Sequence, residues 1–148
     1  MAERTRTTSG FDLDGVRTNL RLLAFTLFIG SVAGMGAFMS VKHTLMPLGV
    51  SQTWAYVVIV LGGAYNHLLA RDLTESITLA LGSFLVGLAF HVAMWIAPLW
   101  LLPYPPLARD VLLPKMLGQA IAGALFTYLV TFYGAYFATA LVGGYLEG

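Results

Sequence analysis

The chain has no cysteine. That removes disulfides, thiolate nucleophiles, Cys-ligated zinc and thiolate-ligated haem from the available chemistry. Charge is almost as scarce: Asp, Glu, Lys and Arg make up 10% of the 148 residues, for a net charge of +1. So even a balance argues against a surface dedicated to nucleic acid or to acidic substrates. The first apolar segment is too long for a signal-peptide core and no A-x-A-like site ends it, so no cleaved leader is expected.

Apolar length is what the chain has in quantity. Hydrophobic residues form 58% of it, a membrane composition rather than a soluble one. Residues 77–97 run without a formal charge and with one ionisable side chain, His91. At 1.5 Å rise per residue they span roughly 31 Å, about the thickness of a bilayer's hydrocarbon core. Backbone groups find no water there, so the segment is expected to be helical. Three further runs of this kind predict an all-α integral membrane protein, a four-helix transmembrane bundle of up-down-up-down order in a single domain. The spans expected are residues 22–41, 53–70, 76–98 and 116–142. An amphipathic arm (1–21) precedes them, an interfacial connection (99–115) joins the last two, and a tail (143–148) follows.

Within the arm, Phe11-Asp12-Leu13-Asp14-Gly15-Val16 resembles the first motif of haloacid-dehalogenase-type phosphatases. The resemblance implies Asp12 as nucleophile and Asp14 as acid/base, at the end of a buried strand in a Rossmann-like domain. Here no hydrophobic strand precedes the motif and no soluble domain follows it. The residues read instead as a helix start capped by Asp12 or Asp14. Leu13, Val16 and Leu20 would then line one side and Arg17 and Arg21 the other, at the membrane surface.

The first span carries a seam of small residues, Thr26, Gly30, Ala33, Ala37 and Ser40, overlapped by Gly30-x-x-x-Gly34. Small residues let helix backbones approach closely in lipid, so this face is expected to pack on another helix, of this chain or of another copy. Trp54, Tyr56, Trp95, Trp100 and Tyr104 are expected as interfacial anchors. Asp72 and Glu75 have capping-box spacing and are expected to start the third helix after a tight turn at Arg71. Pro98, Pro103, Pro105, Pro106 and Pro114 break the connection that follows it, so no span is expected there. Residues 116–146 would measure roughly 46 Å as one helix, so the run must tilt, kink, project or stop early, with Gly143-Gly144 as an end. Tyr128, Phe132 and Tyr136 form a stripe at i, i+4, i+8, expected to be packing. Arg4, Arg6, Arg17, Arg21 and Arg71 outnumber Lys42, Arg109 and Lys115, which places both termini in the cytoplasm.

Chemistry rests on the histidines. His91 lies inside the third span, where an ionisable group is a functional hypothesis by default, as ligand or relay, against a structural hydrogen bond. His67 and His91 are offset by roughly 15 Å of helix rise, too far to share one haem within the chain. A pair of His91 residues across a dimer is the remaining haem geometry, and a quinone site at His91 its relative. His43 falls in a connection. No acid of Asp12, Asp14, Asp72, Glu75, Asp110 or Glu147 falls within an expected span, unlike the small multidrug-resistance transporters, whose first helix carries a glutamate. Thr26, Ser40, Ser83, Gln119, Thr127 and Thr131 are the hydroxyl and amide groups available to line an uncharged pore.

These observations lead to a non-catalytic structural or accessory membrane subunit, not an enzyme and without metal. It would meet lipid, pack with itself or with other membrane subunits, and bind no nucleic acid. An oligomeric channel or transporter for a small solute, and a haem- or quinone-binding electron-transfer subunit, are the rival readings.

Overall fold

The computed structural model describes residues 13–42 and 51–147, with side chains for 15–42 and 51–146. Among the described residues the chain is all-helical, without strands. Its segments are α1 (Leu13–Val41), α2 (Gln52–Leu68), α3 (Leu73–Ile96), α4 (Pro98–Leu101), α5 (Pro106–Gly123), a π-helical segment (Ala124–Leu129) and α6 (Val130–Glu147). Three stretches are long and apolar enough to cross a membrane: Gly15–Val41, Leu73–Leu101 and Pro106–Leu146.

α1 is one 29-residue helix. No proline interrupts it, so the expected arm and first span are continuous through Arg21. Phe11 and Asp12 of the phosphatase-like motif, the side chain of Asp14, and His43 lie outside the described residues. α3 starts as its sequence suggests. Asp72 is extended (φ −147°, ψ 172°) and its carboxylate accepts the Glu75 amide hydrogen at 2.7 Å. That satisfies one of the amides a helix start leaves without an intrahelical partner.

The proline-rich segment differs from expectation. Instead of a connection through residue 115, a helix begins at Pro106, after the four-residue turn of α4. Pro105 is the N-cap, with ψ 148°, and Pro106 is the first helical residue. A proline there lacks an N–H the helix would not use, and its fixed φ suits the first turn. Pro114 lies inside α5, where it removes one intrahelical bond. The helical run continues through the π-helical segment and on past Gly143-Gly144 to Glu147. Pro106–Leu146 comprises 41 residues, about 62 Å of α-helical rise and far more than a hydrocarbon core.

Contacts between named residues fix how the helices lie. Arg21 meets Glu75 at one end of α1 and α3, and Phe38 meets His91 and Trp95 at the other, so these two run alongside in the same direction. α2 lies against α1 in the opposite sense: Gly36 faces Ala55 and Ile59, and Ala33 faces Gly62. α6 follows α2, with Gly63 on Phe132 and His67 on Gly143. The core joins α1, α2, the π-helical segment and α6 through Ala33, Ala37, Ile59, Tyr128 and Phe132, all completely buried.

Glycine sets the α1–α3 spacing. A Cβ at Gly30 would sit 2.6 Å from the Ser83 carbonyl oxygen, and a Cβ at Gly34 would strike the backbone of Gly87. The two helices touch backbone to backbone, as the small-residue seam allows.

Candidate functional site

The buried face of α3 carries Glu75, Ser76, Leu79, Ala80, Ser83, Gly87, His91 and Trp95. Their spacing of three and four draws one stripe along the helix. Four of the eight are ionisable or hydroxyl-bearing, and each finds its surroundings in a different neighbour.

At one end the Glu75 carboxylate pairs with Arg21 of α1; their side chains are 8% and 25% exposed. One residue on, the Ser76 hydroxyl is 3.1 Å from both His67 Nδ1 of α2 and the Tyr136 hydroxyl of α6. Halfway along, the Ser83 hydroxyl donates to Asn66 Oδ1 at 2.9 Å. The Asn66 amide donates to the Gly62 carbonyl of its own helix at 2.7 Å. The Tyr128 hydroxyl reaches the Ser83 carbonyl at 3.4 Å. Asn66, Ser83 and His91 are all fully enclosed. A buried amide or hydroxyl without a partner costs about 1–3 kcal/mol, and here these groups pair with one another.

Toward the other end His91 Nε2 lies 3.1 Å from the Ala120 carbonyl oxygen. A carbonyl only accepts, so Nε2 carries a proton. Nδ1 has no hydrogen-bond partner among the described residues, and neither has the neighbouring Trp95 Nε1. Phe38 stands edge-on to both rings, and Lys42 Nζ lies 4.3 Å above the Trp95 ring, a cation–π contact that closes this end. An imidazole enclosed in this way, with its outer nitrogen on a carbonyl of the same chain, does not fit a haem shared between copies.

The seam residues lie within the chain's own interfaces. Thr26 packs on Gly82, Gly30 on Ser83 and Val86, Gly34 on Gly87 and Ala33 on Gly62. Ala37 is in the core, and the Ser40 hydroxyl donates to the Ala37 carbonyl at 2.8 Å. Among the expected anchors, Trp54, Tyr56, Trp100 and Tyr104 are exposed, whereas Trp95 is 4% exposed and packs inside the bundle. It departs from expectation because the α3 stripe turns it toward Phe38 and Lys42 rather than outward. Of the polar residues considered for a pore, Gln119 is exposed while Ser83 and Ser40 are buried.

Sequence reading missed the Arg21–Glu75 pair and the Asn66–Ser83 bond. The i, i+7 spacing of Ser76 and Ser83 along an otherwise small and apolar stripe was the available signal for the polar face. Its partners depend on helix register, which spacing within one helix does not carry.

Fold and stripe together define, among the described residues, an all-helical protein with three segments long and apolar enough to cross a membrane and a polar stripe on the second of them that meets its neighbours. No protein-family model, no curated protein and no solved structure matches it.

Proposed function

We propose that the chain is an integral membrane protein of four crossings and serves as a non-catalytic structural or accessory subunit of a membrane assembly. In this reading α2 is the fourth crossing. Its 17 residues rise about 25 Å, slightly less than a hydrocarbon core, a mismatch that bilayer thinning or flanking residues absorb. Contacts to α1 on one side and α6 on the other support that assignment. The order is then up-down-up-down. Arg17, Arg21 and Arg71 mark the cytoplasmic end that holds both termini, and Lys42, Arg109 and Lys115 the opposite one.

The observation that carries the functional reading is that the hydroxyls of the polar stripe and His91 Nε2 bond to neighbours within the chain. Ser76, Ser83, Asn66 and His91 hold neighbours of the same bundle, an arrangement that rigidifies a scaffold. The outward faces meanwhile present large apolar side chains, including Phe28, Leu85, Phe126, Leu141 and Tyr145, surface suited to lipid and to other membrane helices. The small-residue seam is engaged inside the chain, so association with copies or partners would use these outer faces. The test is extraction in mild detergent followed by mass spectrometry. Stoichiometric co-purification with a partner, or a stable homo-oligomer, is the expected result. A monomer that retains nothing under gentle extraction contradicts the proposal.

A further inference from the structure

We propose that a cavity lined by Arg17, Thr18, Arg21 and Arg71 binds a phosphate-bearing anion at the membrane surface. The cavity measures about 550 Å³, large enough for a phosphate with part of what it is attached to. Its lining draws three of the chain's six arginines to one place and, among the described residues, no carboxylate. Arg21 is already paired with Glu75, which holds its guanidinium in position and cancels one charge. The Asp72 carboxylate is turned to the Glu75 amide. Among the described residues, Arg17 and Arg71 thus supply positive charge with no partner carboxylate in the lining.

Two further features favour an anion. Arg71 immediately precedes the N-terminus of the 24-residue α3, where the helix dipole adds partial positive charge. The guanidinium's planar fork matches two phosphate oxygens at once, and the Thr18 hydroxyl offers another donor. Like charges gathered around an open cavity repel one another, and an anion relieves that repulsion. Phosphate reaches such a site from two sources: the headgroup of an anionic lipid or a soluble phosphorylated molecule. The inference requires this end of the bundle to face the aqueous boundary and is independent of the accessory-subunit reading.

The experiment uses the full chain in mild detergent. Native mass spectrometry compares retention of phosphatidylglycerol and phosphatidylcholine, and calorimetry measures inorganic phosphate. Arg17 and Arg71 are both exposed, so R17Q/R71Q is expected to fold; an unchanged melting temperature verifies this, and the two single variants substitute for it otherwise. R109Q/K115Q removes equal charge from the other end. A preference for phosphatidylglycerol of about tenfold, lost in R17Q/R71Q and kept in R109Q/K115Q, supports the site with lipid as the source. Phosphate binding that is lost in R17Q/R71Q, without a lipid preference, supports it with a soluble source. No binding in either arm, or binding equal in both double variants, overturns it.

Discussion

Adding one methyl group at Gly34 should separate α1 from α3. In an open helix position alanine is favoured over glycine by about 0.8–1 kcal/mol. At Gly34 the new Cβ would lie 2.8 Å from the Gly87 Cα and 2.9 Å from its carbonyl carbon. Carbon atoms in good contact sit about 3.5–4.0 Å apart, so α1 must retreat by about 1 Å. Gly87 is itself crowded, with the Gly30 carbonyl and the Tyr128 ring standing where its own Cβ would be. Overpacking of this kind costs roughly 1–3 kcal/mol. With the propensity gain subtracted, G34A should lose up to about 2 kcal/mol against the parent, and about 1–3 kcal/mol against an unobstructed Gly→Ala change, a gap of roughly 2–12 °C in melting temperature. Gly134 is the control, since nothing lies within 4 Å of a Cβ there; G134A should melt at or above the parent. Thermal unfolding in mild detergent, followed by far-UV circular dichroism, reads both variants. G34A melting level with G134A would refute the backbone-contact argument.

Other perturbations follow from the polar stripe. R21Q leaves the Glu75 carboxylate, 9% exposed, without its cation. Discounted for Arg21's partial exposure, the loss should be about 1–3 kcal/mol, and R21Q/E75Q should be more stable than R21Q alone. A double-mutant cycle with no coupling would show that the pair contributes nothing. N66A deprives the Ser83 hydroxyl of its acceptor and opens a space in the core, for about 1–3 kcal/mol. S83A should then add little to N66A, and additive losses in chemical denaturation would argue that the two residues act separately.

Much of the helical plan was legible in local sequence, and the parts that were not share a cause. Asp72 announces the start of α3 because a cap is a contact over three residues. The Gly30–Gly34 seam announces a close helix contact, but its partner is set by the register of α1 against α3, which no single helix encodes. Proline misled at Pro105 and Pro106 because the same residue that breaks a helix interior starts a helix well. The π-helical segment from Ala124 to Leu129 carries no proline or glycine that would mark it. The histidines showed where polarity enters the bundle; that His91 faces a carbonyl of α5 and His67 a serine of α3 emerges only from packing.

Four crossings with both ends on one side is the claim on which the rest depends, and α2 is its narrowest support. The native chain has no cysteine, so single cysteines placed at positions 52, 71, 104 and 145 can be labelled with an impermeant maleimide in sealed, right-side-out membranes. Labelling is expected at 52 and 104 from outside, and at 71 and 145 only after permeabilisation. Labelling of 52 and 71 from the same side would mean that α2 does not cross, and would contradict the claim.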